Sequence, residues 1–507
     1  MTRLVHWKWQ LLAPACGVLL TFSFAPYDYS YFALPALAFF YRLCIAPARH
    51  AALSGYLFGL GLFGSGIWWV YISIHRFGGA DPYSAGLLTL LLVAVWALFP
   101  ALTAYLSAKL LAMAGVWFRI LAVGLTWVAV EYLRGYWLLN GFPWLQIAYG
   151  QLNTPLAGYA PLVGVYGAGF LLAVSAALCA EMWRVRRLRL SGLLALCAIW
   201  GGGCLLRQVQ WTHAVGAPIK VALLQGNIAQ DQKWLEDQRQ HTLSLYWQLT
   251  QQHWDADVIV WPETAIPVFL SQVKDFYLEP LSALARENGT DLLVSLPSEG
   301  EGKSYYNSVM SLGAREALYH KHHLLPFGEY LPLQPLSGWV LDRLAIPLGN
   351  FAAGAAEQPL LEAGGYPLVT TICYEDAFGE LVSRQVGRAA YLVNVTNDAW
   401  FGDTSQPHQH MQIAQMRALE TGRYLLRATN TGLSGIVMPN GKISARAPLF
   451  TTTALTGTII PMAGLTPYAR WGDSAVFAGL FLLVGMVWRL SKFQPGGWRR
   501  NELDGSL

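Results

Sequence analysis

Eight stretches of the chain run almost without charge, near residues 9–25, 30–46, 52–74, 84–108, 117–138, 158–181, 190–206 and 470–490. A bilayer core needs about 20 apolar residues in a helix, so these stretches predict eight transmembrane helices. The first two are short and punctuated by proline. Between the seventh and eighth the pattern changes. Residues 217–460 alternate short apolar runs with polar stretches of helical period. Strands are predicted at 219–224, 257–261, 291–296, 306–312, 368–373, 390–396, 432–438 and 456–460. Helices are predicted at 231–253, 275–287 and 407–426, with a short one from Asp376. Alternating β and α of this kind predicts a layered α/β domain. The organisation is therefore a seven-helix membrane region over 1–206, an α/β domain over 217–460, an eighth helix over 470–490 and a tail over 491–507.

Charge sharpens the division. Residues 1–200 hold four acids (Asp28, Asp81, Glu131 and Glu181) against twelve Lys or Arg, whereas the rest holds 26 acids and 22 bases. Arg3 and Lys8 ahead of an apolar run resemble a signal peptide, but further spans follow at once and the first is expected to be retained. With the N-terminus inside, inner segments carry Arg42, Arg49, Lys109, Arg119, the cluster Arg184, Arg186, Arg187 and Arg189, and the C-terminal Arg489, Lys492, Arg499 and Arg500. The short outer loops carry only Arg76 and Arg134. Positive charge accumulates on the cytoplasmic side. Both termini are thus expected inside and the α/β domain outside, which in a bacterium with two membranes is the periplasm. A net charge of +4 makes nucleic acid an unsuitable partner.

Three residue types stand at predicted strand ends, where catalytic groups of open α/β sheets collect. Glu263 follows the strand 257–261 through a proline. Lys321 lies in Tyr319-His320-Lys321-His322-His323, after a turn at Gly313. Cys373 ends the strand 368–373 and is the lone cysteine of its domain. Such a thiol is either buried packing or reactive. A carboxylate can take its proton, and an ammonium can stabilise the oxyanion formed when sulfur attacks a carbonyl. A helix opening after Cys373 would add free N–H groups, including that of Tyr374. Together these suit acyl transfer through a thioester. The histidines at 320, 322, 323, 408 and 410 lack a completing carboxylate or cysteine in zinc-ligand spacing; neither metal nor cofactor is expected.

The segments Trp261-Pro262-Glu263-Thr264-Ala265, His320-Lys321-His322-His323-Leu324-Leu325-Pro326-Phe327-Gly328-Glu329 and Ile372-Cys373-Tyr374-Glu375 resemble, in order, the three-part signature of the nitrilase (carbon–nitrogen hydrolase) superfamily. The resemblance covers about 217–460 and implies an α-β-β-α sandwich with a Glu-Lys-Cys triad. With the flanking spans, and with Asn140-Gly141-Phe142-Pro143-Trp144-Leu145-Gln146 after the fifth, the whole chain resembles the superfamily's membrane-embedded apolipoprotein N-acyltransferase branch. That implies transfer of an acyl chain from a phospholipid to the N-terminal amine of a diacylglyceryl-cysteine lipoprotein. Glu263 is then the general base, Lys321 the oxyanion stabiliser and Cys373 the nucleophile. Glu329 matches a second glutamate supporting Lys321, Tyr374 and Glu375 flank the nucleophile, and Trp234 matches a functional tryptophan.

The partners expected are a phospholipid donor, a lipoprotein acceptor and membrane lipids, with the chain acting as a monomer. Half of residues 331–350 is apolar, which predicts a lid over the acyl chain formed by Leu333, Leu336, Trp339 and Leu344. The same triad suits a membrane-tethered amidase or nitrilase that passes its acyl group to water. A transporter is a poorer fit, because acids are nearly absent from the spans; Glu131 is the main exception, near the outer end of the fifth.

Overall fold

The structure is a computed structural model that describes residues 2–112, 115–300, 302, 304–332 and 351–492. Residues 333–350, and with them the expected lid residues Leu333, Leu336, Trp339 and Leu344, lie outside the described residues.

The soluble part is built on two six-stranded sheets. In spatial order the first holds Thr453–Ile459, Ile219–Gln225, Val258–Val260, Asp291–Glu299, Tyr305–Leu312 and Ala317–His320. The second holds Ile443–Arg446, Gly435–Val437, Leu425–Thr429, Tyr391–Thr396, Tyr366–Ile372 and Leu361–Ala363. Parallel pairs occupy the middle of each: Val221 faces Val258 and Val258 faces Asp291 in the first, and Val369 faces Leu392 and Leu392 faces Leu425 in the second. Strand side chains alternate between faces, and the burial follows that period. Ile219, Val221 and Leu223 meet Tyr391, Val393 and Val395 in one core between the sheets. Ala222 and Leu224 turn outward against Leu243, Tyr246, Leu249 and Leu281 of the helices Glu236–Gln251 and Glu279–Asn288. Leu392 and Val369 turn outward against the helices Gly379–Val386 and Gln406–Thr421. The layers run α-β-β-α.

Among the described residues, five helical stretches are long and apolar enough to cross a membrane: Pro82–Leu111, Val116–Tyr136, Pro155–Arg184, Arg186–Leu206 and Pro467–Leu490. The predicted span 52–74 is two helices, Ala48–Gly66 and Val70–Phe77, bent by 59°. Trp69 accounts for the break: its indole N–H donates to the Gly66 carbonyl and to Gln409 of the soluble domain, both at 3.1 Å. The first two predicted spans are the shorter apolar helices Trp9–Thr21 and Ser30–Cys44.

Several sequence expectations move. The helix predicted over 231–253 begins at Glu236, leaving Lys233 and Trp234 in turns. The helix predicted over 407–426 ends at Thr421, where Gly422 takes a left-handed conformation (φ 63°), and Leu425–Thr429 is a strand. That glycine cap is the usual stop signal. A strand at Ala317–His320 was not anticipated and delivers Lys321 directly. A five-residue 3-10 turn, Cys373–Ala377, follows the strand Tyr366–Ile372.

The helix Gln406–Thr421 joins the two regions. Met411, Ala414 and Ala418 pack on the second sheet, while Ile413, Met416 and Leu419 join the apolar cluster of the membrane helices with Tyr374, Ala377 and Phe378. Three of its polar residues, Gln409, Gln412 and Glu420, are held by the membrane region. Gln409 Oε1 accepts from the Trp144 indole at 2.7 Å. Gln412 accepts from the Ala25 N–H and donates to Asp28. Glu420 pairs with Arg417 at 2.9 Å and accepts the Val165 N–H at 2.7 Å. That N–H is free because the helix Ala160–Arg184 breaks at Gly164 (φ 63°), where a Cβ would lie 2.3 Å from the Tyr468 ring.

Candidate active site

Glu263, Lys321 and Cys373 converge just beyond strand ends. Glu263 follows Val258–Val260 by way of Trp261 and Pro262, Lys321 follows Ala317–His320, and Cys373 follows Tyr366–Ile372. Lys321 Nζ lies 3.9 Å from Glu263 Oε1 and donates to Glu329 Oε1 at 2.8 Å. Asn307, on the strand Tyr305–Leu312, donates Nδ2 to Glu263 at 2.8 Å and to Glu329 at 3.3 Å. The second oxygen of Glu329 accepts the Leu325 N–H at 2.8 Å, tying down the loop that carries it.

Cys373 is held at φ 52°. A non-glycine residue in that left-handed region costs roughly 1–3 kcal/mol and persists only when its surroundings over-determine it. They do so here. The Cys373 carbonyl accepts from Asn394 Nδ2 at 3.1 Å. Glu375, fully buried, gathers five donor contacts: the Ile372 N–H at 2.8 Å, the His322 and His323 N–H groups at 2.7 and 2.9 Å, and the Tyr319 hydroxyl at 3.1 and 3.0 Å from its two oxygens. Glu375 thus fastens the turn bearing Cys373 to the segment bearing Lys321. Tyr374 fastens the same turn to the membrane region, donating its hydroxyl to the Gly141 carbonyl at 2.9 Å. Asn140 beside it donates to the Leu324 carbonyl at 3.0 Å, and its own carbonyl lies 2.8 Å from His323 Nε2. Glu131 and Arg134 shape this loop from the helix Val116–Tyr136. Glu131 accepts the Ile147 N–H at 3.0 Å, and Arg134 donates to the Phe142 and Trp144 carbonyls at 2.7 and 2.6 Å.

The electrostatics separate the groups. Burial pushes Glu263 above the ordinary carboxylate range and Glu329 adds to that, against Lys321, Lys233 and Asn307. Burial alone would lower the Lys321 ammonium, but Glu329 and then Glu263 hold it well above its usual value. Burial pushes the Cys373 thiol up, reinforced by Glu263 and opposed by Lys321.

Two site residues were not singled out from sequence. Asn307 sits mid-strand and carries no motif. Lys233 is buried, donates Nζ to the Glu263 carbonyl at 3.0 Å, and is lowered to about 8 by burial, against the pull of Glu263 and Cys373. Its signal was the adjacent Trp234. Trp234 itself is about half exposed. The histidines have other partners. His320 Nδ1 lies 2.8 Å from the Ser308 hydroxyl, His322 Nδ1 lies 2.8 Å from the Gly354 carbonyl, and His410 stands between two aspartates.

The family model for the apolipoprotein N-acyltransferase N-terminal domain matches residues 16–178, and that for carbon–nitrogen hydrolases matches 220–470. A protein of Methylococcus capsulatus named apolipoprotein N-acyltransferase is 51% identical over 483 residues, 95% of each chain. The chain belongs to the apolipoprotein N-acyltransferase family. A relative of the same name from Nitrosomonas europaea is 43% identical over 94% of this chain and 97% of its own. Membership accounts for the combination seen here: a membrane-integral N-acyltransferase-type bundle and a nitrilase-like α/β domain in one chain, with catalytic-type residues at their junction.

Proposed function

We propose that the protein transfers an acyl chain from a phospholipid to the N-terminal amine of a diacylglyceryl-cysteine lipoprotein, through a thioester on Cys373. One observation carries the reading: a thiol on a strained elbow, a lysine and two carboxylates gather where the α/β domain sits on apolar helices. Both substrates are lipids, and a site at that junction meets them at the bilayer.

Glu263 takes the Cys373 proton as sulfur attacks the ester carbonyl carbon. The negative charge that develops on the carbonyl oxygen is met by the Lys321 ammonium. The ester C–O bond breaks, the leaving lysophospholipid oxygen takes the proton from Glu263, and the thioester remains. The lipoprotein amine then attacks the thioester carbon. Its proton passes through Glu263 to the departing sulfur, and an amide is formed. Glu329 and Asn307 hold Lys321 and Glu263 in register, and Glu375 and Tyr374 hold the elbow. An amine acceptor, rather than water, is favoured by the apolar setting; a single anchor would tether an amidase. The topology that fits the charge pattern has eight spans, the bent pair and the two shorter helices included, with both termini cytoplasmic and the α/β domain periplasmic.

Purified enzyme incubated with phosphatidylethanolamine bearing a radiolabelled palmitoyl chain should acquire a hydroxylamine-sensitive label at Cys373. A synthetic diacylated lipopeptide should then discharge the label onto its amine. Release of the label as free fatty acid in the presence of the lipopeptide would favour the amidase instead, and no label on the wild-type enzyme would remove the thioester.

A further inference from the structure

Behind the nucleophile lies a second cluster of ionisable groups that the acyl-transfer steps do not use. His410, on the helix Gln406–Thr421, stands between two aspartates. Its Nδ1 is 3.0 Å from Asp398 Oδ1, and its Nε2 is 3.0 Å from Asp376 Oδ1 and 3.3 Å from the Cys373 carbonyl oxygen. Arg427, from the strand Leu425–Thr429, donates to Asp398 Oδ2 at 3.0 Å, to Asp376 Oδ2 at 3.3 Å and to Asn394 Oδ1 at 2.5 Å. Asn394 passes its own N–H to the Cys373 carbonyl. Gln406 donates to Asp398 at 3.3 Å. The Trp144 ring, from the membrane-region loop, lies 5.4 Å from the imidazole. His410, Asp376, Asp398 and Arg427 are all buried to within 2% of full enclosure.

Every group within hydrogen-bonding distance of the imidazole nitrogens is an acceptor. A neutral ring has a lone pair on one nitrogen and would aim it at a carboxylate; only the imidazolium donates from both. The charge balance agrees. Two aspartates and one arginine leave one negative charge out of reach of water, a costly state, and a proton on His410 cancels it. The Trp144 ring centroid, at 5.4 Å, is also within cation–π distance of a charged ring.

We propose that His410 is a positioning residue for Cys373: held as an imidazolium between Asp376 and Asp398, it donates to the Cys373 carbonyl and locks the strained elbow that aims the thiol. With Asn394 it gives that carbonyl two donors, one from the sheet and one from the helix seated on the membrane bundle. Burial and Arg427 push His410 down, but Asp376 and Asp398 together outweigh them and hold it above its ordinary value. The lock is therefore engaged at low and neutral pH and lost as pH rises through that raised value. Where the proton leaves Nε2, its lone pair faces Asp376 and the Cys373 carbonyl, and the elbow loses a donor.

The inference rests on Cys373 being the nucleophile, so Cys373→Ala is run in parallel. Label on that variant would refute the nucleophile reading itself, while a blank leaves the His410 arms to be judged alone. The measurement is the single-turnover rate of thioester formation from labelled phosphatidylethanolamine, followed from pH 6 to 10. Wild type should show an alkaline fall in rate. His410→Gln keeps one donor but cannot titrate, so it should acylate roughly tenfold or more slowly, with the donor concentration at half-saturation little changed and no alkaline fall. Asp398→Asn should move the fall to lower pH by about one unit or more. A role in packing alone would change the amount of folded enzyme and leave these profiles alike. If either variant fails to fold, carbon-13 histidine spectra of the wild-type enzyme decide. A buried imidazolium at pH 7 whose deprotonation coincides with the fall in rate supports the lock. A neutral ring at pH 7, a rate flat across the titration, or a wild-type profile in His410→Gln overturns it.

Discussion

At the residue scale the site is an exercise in charge counting. Lys321 is shared between Glu329 at 2.8 Å and Glu263 at 3.9 Å, so one ammonium faces two carboxylates. Lys233, donating to the Glu263 carbonyl, supplies the second positive charge and brings the set to neutrality before any thiolate forms. Both lysines pull Glu263 down while burial and Glu329 push it up, and the balance is upward. A base must be ionised to act, so acylation should fall on the acid side through a value above the ordinary carboxylate range of about 4.3. Replacing Lys233 by Met removes one lowering influence. The acid limb of the rate profile should then move to higher pH, with residual activity retained at pH 8. An unshifted limb would show that Lys233 only packs. Glu263→Gln, which leaves the shape but not the base, should form thioester at least roughly a hundredfold more slowly, on the scale of general-base contributions. Normal labelling in that variant would take the role from Glu263.

At the element scale, short connections matter more than the strands they join. Glu375 binds donors from Ile372, His322, His323 and Tyr319 at once, linking the turn that carries Cys373 to the segment that carries Lys321. Hydrogen bonds to charged groups are worth about 1.5–3 kcal/mol each. Glu375→Gln keeps the volume, loses the charge and turns one acceptor into a donor facing N–H groups. Thioester formation should drop by roughly ten- to a hundredfold, and limited proteolysis should cut the 320–330 loop sooner; an unchanged rate and cleavage pattern would make Glu375 incidental. These connections were also the least legible part of the sequence. The β–α alternation and the strand-end positions of Glu263 and Cys373 could be read because strand period and strand-end residues are local signals. The staple role of Glu375 could not, since its partners come from a loop 50 residues away and no local pattern encodes them. The same holds for the helix Gln406–Thr421. The partners of Gln409, Gln412 and Glu420, namely Trp144, Asp28 and Val165, belong to the membrane region, and nothing near these residues in the sequence announces them. Likewise 52–74 read as one apolar span because hydropathy does not register the bend, which is set by the tertiary contacts of Trp69.

At the scale of the whole molecule, the two regions are not a catalyst and a separate anchor. The charge asymmetry makes a topology with both termini inside and the α/β domain outside the expected one. Cysteine labelling by an impermeant reagent in intact spheroplasts should therefore modify a cysteine introduced at Gln251 and spare one introduced at Arg186; the reverse pattern would invert the orientation. A stronger consequence concerns independence. The face of the α/β domain that carries Cys373 is covered by membrane helices: Tyr374, Ala377, Phe378, Ile413, Met416 and Leu419 all belong to the bundle's apolar cluster. Removing the helices would uncover a contiguous apolar patch, the kind of surface that drives association in water. It would also strand Glu420, Arg417 and Gln409, whose partners or covering residues lie in the bundle. The loop at Asn140 and Gly141 would be lost as well, and with it the anchors of Tyr374, His323 and Leu324. Residues 217–460 expressed alone should accordingly form soluble aggregates or inclusion bodies, and any monomer recovered should not form thioester even with a detergent-dispersed donor. Size-exclusion chromatography and the labelling assay test both parts. A monodisperse, acylating fragment would show that the bundle serves only for attachment; failure of the fragment beside a working full-length enzyme would show that the membrane helices form one wall of the active site.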